Sequence, residues 1–285
     1  MDLINFKVGY KTISLKILDI LLTEQFHNNL TVLPNDNKSF LGVKDYMGIP
    51  TPVFDLGIIL NGVSTEHSNR DALKQLKSWQ KQLNTWFNQL EQALLSSQNS
   101  LNTSQCELAD FEQFYMEFKT DNDELKSTMS RFNEPFKSLL QKVEDTIKVH
   151  KQKNSKQVLI QLEIVKRHEL IQLERLFESA KEQITLDYKP IIVFTTKDGM
   201  TPHVGLLVDK VEDNIEYRQE DIKPLDKLTE IGFDIDPQTR NMMHGLIKLA
   251  DKHSVLIDPS AIFKPKELQA SNNTQEQETE PYGLF

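Results

Sequence analysis

Glycine is missing from the interior of this chain: all ten glycines lie at position 62 or earlier, or at position 199 or later. Proline is nearly missing there as well, with Pro135 the single interruption before Pro190. These residues permit turns and break helices, so the stretch between them reads as a helical region rich in Leu, Gln, Glu and Lys. Cys106 is the only cysteine, which excludes an intramolecular disulfide framework and every Cys-x-x-Cys zinc or redox motif. No run approaches the ~20 uninterrupted apolar residues of a membrane span, since even Ile17 to Leu22 is broken by Asp19. The amino terminus shows no basic run and apolar core of a signal peptide, so the expected compartment is the cytoplasm, without direct membrane insertion. Basic charge is also short, with 33 Lys and Arg against 42 Asp and Glu and a net charge of −9. That balance argues against a nucleic-acid partner, because phosphate contacts need concentrated Lys and Arg.

Catalytic signatures are missing too. There is no Gly-rich phosphate loop, no Gly-x-Ser-x-Gly elbow and no His-Glu-x-x-His helix. Acidic pairs such as Glu216 with Asp221, or Asp234 with Asp236, read most simply as solvated loops. No catalytic residues, metal ligands or cofactor are expected, and the chain is expected not to be an enzyme.

What is present divides into flanks and middle. Ile4, Phe6 and Val8 alternate with polar residues, as do Ile13, Leu15 and Ile17, the period of half-buried strands. Two more strands are expected around the turn Met47-Gly48, followed by a helical turn from Leu56 with Asp55 as its N-cap. The carboxy-terminal flank echoes this: Gly42 precedes Asp55, and Gly245 precedes Asp258, by equal spacing without gaps. Between them Val43 matches Leu246, Tyr46 matches Leu249, Val53 matches Leu256 and Phe54 matches Ile257. Two generic strand-turn-strand units agreeing by chance is one explanation; the gapless spacing favours a duplicated small β-barrel. In the second copy Pro259 follows Asp258, the favoured pair for N-cap and first helical position.

These flanks resemble the CheW domain, the coupling module of bacterial chemotaxis signalling. The resemblance rests on Gly42-Val43-Lys44-Asp45-Tyr46-Met47-Gly48 with Pro52-Val53-Phe54-Asp55-Leu56, on Gly205-Leu206-Leu207-Val208-Asp209-Lys210-Val211, and on His244-Gly245-Leu246 through Val255-Leu256-Ile257-Asp258. It spans roughly residues 1–62 and 190–263. It implies chemoreceptor signalling tips and a CheA-type histidine kinase as partners, and a partner-binding site at Asp45, Met47 and Gly48. One departure matters: where the family usually has arginine before the turn glycine, this chain has Met47. Methionine cannot supply the bidentate hydrogen bonds of a guanidinium, though it can anchor an apolar contact on an irregular surface.

In the middle, Leu76, Leu83 and Leu90 recur at helical spacing with Trp79, Phe87 and Leu94 beside them, giving an amphipathic helix. A second cluster holds Cys106, Leu108, Phe111, Phe114, Tyr115 and Phe118. A third helix is expected from Asp121, with Asp121 and Glu124 in a capping arrangement and Leu125, Met129, Phe132, Phe136, Leu139, Val143 and Ile147 on its core face. A last helix offers Leu159, Leu162, Val165, Ile171, Leu173, Leu176, Phe177, Ala180 and Ile184 for burial, and the set should form a bundle. This region resembles the chemoreceptor zinc-binding domain through Trp79 and Cys106-Glu107-Leu108-Ala109-Asp110-Phe111. The family's zinc ligands are one cysteine and three histidines. The histidine positions fall at Leu76 and at Asn133 with Lys137, or Phe136 with Leu140, so Cys106 alone is not a site. His67, His150 and His168 have no i, i+4 spacing among them.

The expected fold is therefore α+β: a CheW-like pair of small five-stranded β-barrel subdomains (1–62 and 189–266), an inserted antiparallel helical bundle (63–188) and a disordered acidic tail (267–285). The expected function is a non-enzymatic adaptor coupling chemoreceptors to a CheA-type kinase. The alternative is a redox- or metal-responsive sensory module in which Cys106 is a sensing thiol rather than a buried apolar residue.

Overall fold

The computed structural model describes residues 1–96, 106–118, 120, 122–152, 154–223, 237–249 and 252–262. Its contacts separate two units, one of residues 1–67 together with those from 188 onward, the other of residues 68–187.

In the first unit, alternation at the amino terminus makes β1 (Asp2–Val8) and β2 (Lys11–Lys16), followed by β3 (Ile20–Gln25), β4 (Phe40–Tyr46) and β5 (Ile49–Asp55). Asp55 then accepts the Ile58 N–H at 3.1 Å and starts the short helix α1 (Leu56–Asn61), as its position predicted. After the helical unit come β6 (Ile191–Thr196), β7 (Pro202–Val208), β8 (Lys210–Glu216), the short β9 (Ile222–Lys223), β10 (Met243–Lys248) and β11 (His253–Ile257). Asp258 accepts the Ser260 N–H at 2.8 Å and caps a short 3-10 turn that opens on Pro259.

These strands form two sheets, ordered β8-β1-β2-β11-β10-β9 and β3-β6-β7-β5-β4. Neither order closes on itself among the described strands, so the expectation of paired five-stranded barrels is corrected to two open sheets. Nor does each sheet belong to one flank. The β1-β2 hairpin pairs in parallel with β11, Leu256 opposite Ser14, while β7 pairs in parallel with β5, Val53 opposite Gly205. Each sheet thus joins a hairpin of one flank to a hairpin of the other.

The two sheets match strand for strand. Gly42 lies opposite Val53, and Gly245 opposite Leu256, each just after a register shift. A sixth segment runs along the outer strand in both: Thr31 bridges Val43, and Lys223 pairs with Leu246. The glycines fit that crossing. A Cβ at Gly42 would meet the Thr31 carbonyl oxygen at 2.6 Å, and one at Gly245 the Lys223 carbonyl oxygen at 2.8 Å. The sequence echo is therefore a structural one that extends to a segment the echo itself did not include.

Period-two burial puts Phe6, Val8, Val193, Phe54, Val255 and Ile257 in a core shared by both sheets. Their neighbours face outward into two smaller clusters, Leu3 with Leu256 on one sheet, and Val53 with Ile192 and Phe194 on the other.

The second unit holds most of α2 (Thr65–Leu95), then α3 (Cys106–Glu117), α4 (Asp123–Ser130), α5 (Asn133–Lys151), α6 (Ser155–Val165) and α7 (Ile171–Asp187). The single third helix expected from Asp121 is instead two. Asn122, not Asp121, caps the first by accepting the Leu125 N–H at 2.9 Å; Asp121 lies outside the described residues. The break at Arg131 and Phe132 follows from Pro135, whose ring clashes with the carbonyl four residues earlier, that of Arg131. A π-helical turn, Lys166–Leu170, joins α6 to α7. Leu159 and Ile171, expected in the core, are exposed: the buried stripe of α6 runs through Val158, Leu162 and Val165, and that of α7 through Leu173, Leu176, Phe177, Ala180 and Ile184. The core is aromatic: Phe111 contacts Phe132, Phe136 and Phe177 at centroid distances of 5.5, 5.3 and 5.3 Å.

Residues 267–285, expected to be a disordered tail, lie outside the described residues. Among the described residues no helix is long and apolar enough to cross a membrane.

Candidate functional site

The β4-β5 hairpin carries Met47 and Gly48 at its tip, beyond the last pair, Tyr46 with Ile49, and Asp45 just before that pair, opposite Pro50. Met47 and Gly48 both have positive φ, 51° and 82°. Two such residues in succession make the tight turn whose twist matches its strands, a turn that selects Asn, Asp and Gly. Gly48 is needed for that conformation alone, since nothing lies within 4 Å of where its Cβ would be. Asp45 Oδ1 accepts the Gly48 N–H at 3.0 Å and fixes the turn.

Methionine is the misfit. In the left-handed region it is strained by about 1 kcal/mol relative to glycine, and its side chain is 85% exposed. With Ile49, also exposed, it presents a small apolar knob at the end of a rigid hairpin. The hairpin is anchored from behind, where Tyr46 stacks on Phe194 at 5.4 Å, and from the side, where Lys44 pairs with Glu24 at 2.8 Å. The three residues singled out in the sequence are therefore brought together at one exposed point. The flanking strands signalled the turn at Met47-Gly48; the left-handed backbone of Met47 had no signal in its residue type.

A second constellation escaped sequence reading. Asp209, noted there only as part of the Gly205–Val211 stretch, is buried where the flanks meet. Its Oδ2 accepts the Gly9 N–H at 2.6 Å, and its own N–H donates to the Lys7 carbonyl at 2.9 Å. Burial pushes its carboxyl up to about 6; the Gly9 hydrogen bond opposes this, and the negative charge of Asp55 adds to it. Asp55 is itself raised by burial, and burial pulls down the Lys11 ammonium, whose Nζ donates to the Leu60 carbonyl at 2.5 Å. This junction holds β1-β2 against the second flank.

Cys106 opens α3, but its side chain lies outside the described residues. Of the positions where the zinc-binding resemblance would put histidine, Leu76 and Phe136 are buried in the aromatic and aliphatic core, and neither side chain can ligate a metal. Among the described residues no group of three or more His, Cys, Asp or Glu side chains could hold a metal ion.

Neither a family model nor a curated protein sequence matches this chain. Among solved structures it is similar to the scaffolding protein TtCheW from Thermoanaerobacter tengcongensis, at 12% identity and a TM-score of 0.42 over 93% of this chain and 88% of that one.

Proposed function

We propose that this chain is a non-enzymatic adaptor of chemotaxis signalling that couples chemoreceptor tips to a CheA-type histidine kinase, working in the cytoplasm at receptor arrays. The observation that carries this reading is the β4-β5 tip: a braced hairpin that holds an apolar side chain outward in a strained backbone conformation. Strain of this kind persists where surrounding structure over-determines it, and such positions cluster at sites of contact and switching. The three sequence stretches behind the CheW resemblance support the reading, for they fall on β4-β5, on β7 into β8, and on β10-β11. Met47 in place of arginine makes the tip contact apolar, and its partner is therefore expected to offer a greasy pocket rather than a carboxylate.

The test is co-purification of the full chain with a CheA-type kinase and with receptor signalling tips. Binding to at least one, weakened by Met47→Asp and kept by Met47→Leu, is the expected result. Absence of binding to both removes the adaptor reading.

A further inference from the structure

We infer that the helical unit carries a binding site for a compact, phosphate-bearing anion, in a cleft that the proposed adaptor function does not use. The cleft, of about 560 Å³, is rimmed by Arg131, Arg167, His168 and Arg175, with Ile171 and Leu176 among its apolar lining. That volume falls within the range of small-molecule sites.

Three arginines line this cleft in a protein whose net charge is −9, and among the described residues no acidic one lines the space. Among the described residues, Arg167 alone of the three has a counter-ion, Glu163, at 2.5 Å. Arg131 and Arg175 form no ion pair among the described residues. The one acid of the π turn, Glu169, is turned away, buried and bonded to Ser138 and Lys142. Uncompensated cations facing one cleft repel each other until an anion joins them. Planar guanidinium forks match phosphate oxygens two bonds at a time.

The backbone explains how they meet. Pro135 breaks the helix at Arg131 and leaves that side chain at the end of α4, in contact with the cleft. The π turn widens the helix at Lys166–Leu170, and such turns recur at functional sites. It brings Arg167 and His168 onto the face that continues, one and two turns on, through Ile171 and Arg175. Phosphate is favoured over a peptide carboxylate because three arginines line one open cleft, and a guanidinium can meet several oxygens of a single tetrahedral group.

Isothermal titration calorimetry of the full chain, with inorganic pyrophosphate as the probe in metal-free buffer near physiological salt, tests the site. Saturable one-to-one binding is expected, at least tenfold weaker in Arg131→Gln and in Arg175→Gln. Arg175→Lys, which keeps the charge and loses the fork, should fall between these and the wild type. Lys148→Gln, on α5 away from the cleft, should bind as the wild type does. All three side chains are exposed, and unchanged helical circular dichroism checks that the variants fold. No saturable binding, equal binding in every variant, or tighter binding of citrate than of pyrophosphate each overturns the assignment. Because the adaptor assay is separate, its failure leaves this outcome unaffected.

Discussion

The β-unit and the helical unit are held together in opposite ways. In the helical unit the interior is almost wholly apolar, with Phe111 in contact with Phe132, Phe136 and Phe177, and Phe132 in contact with Phe177. In the β-unit, polar side chains are buried and bonded between flanks. Ser14 Oγ donates to Asn5 at 2.6 Å and shares a hydrogen bond with Ser254 at 2.6 Å, all three side chains being fully buried. Asp209 reaches back to Gly9. An apolar core tolerates repacking, whereas a buried polar group without its partner loses about 1–3 kcal/mol. The comparison teaches that the helical unit is specified by volume and the β-unit by pairing.

The largest test of that contrast is Phe177→Ala. Truncating a fully buried ring should destabilise the helical unit by about 3–5 kcal/mol. Hydrogen exchange should speed up across 68–187 while β1, β2, β10 and β11 keep their protection. Equal loss in both units would break the distinction.

Gly42→Ala and Gly245→Ala form a matched pair in the β-unit. Each should lower stability by about 2–3 kcal/mol: at Gly42 the added methyl meets the Thr31 carbonyl on a backbone of positive φ, and at Gly245 it meets the Ile222 side chain and the Lys223 carbonyl. Chemical denaturation of both variants measures it. Similar losses sharpen the strand-for-strand match of the sheets, and a large loss at only one of them undoes it.

Asp209 supplies a pH dependence that the helical core lacks. Its folded value, about 6, lies above its unfolded value near 3.8, so the folded state holds the extra proton between those two values. Stability should therefore rise as pH falls from 7 towards 4, by about 2 kcal/mol from this group. Asp209→Asn should remove that slope, and urea midpoints at a series of pH values would show whether it does.

The smallest effect is at the tip. Met47→Gly should stabilise the protein by about 0.5–1 kcal/mol by relieving the left-handed backbone, with a small rise in thermal midpoint. On the adaptor reading it should weaken partner binding at the same time.

The same contrast explains what sequence reading reached. Period-two runs gave β1, β2 and the β4-β5 hairpin, and Asp55 and Asp258 were legible as caps because capping is local chemistry. The turn at Met47-Gly48 was legible from the strands around it, while Asp45, Met47 and Gly48 as a site came from the family resemblance alone. The exchange of hairpins between sheets was not, because nothing in Ser14 or Leu256 says which strand it will lie beside. Leu159 and Ile171 were offered for burial because they are apolar, whereas the helix buries its neighbours Val158 and Leu170 instead. The break at Arg131 had its signal in Pro135, four residues on. The basic cleft had none, its arginines being far apart in sequence and brought together by that break and that turn.

The parallel pairing of β5 with β7 has a consequence in time. β5 ends at Asp55 and its partner begins at Pro202, roughly 150 residues later in synthesis. At ~5–20 residues per second, the first flank spends roughly 8–30 seconds with the edge of β5 unmatched. During that wait the helices that separate the two strands are the next residues to emerge, and their contacts are mostly local. The nascent chain must therefore keep its first hairpins from pairing with a neighbour's, and ribosomes translating the same message side by side offer the very strands that would fit. Chains that exchange hairpins between flanks are open to exchanging them between molecules.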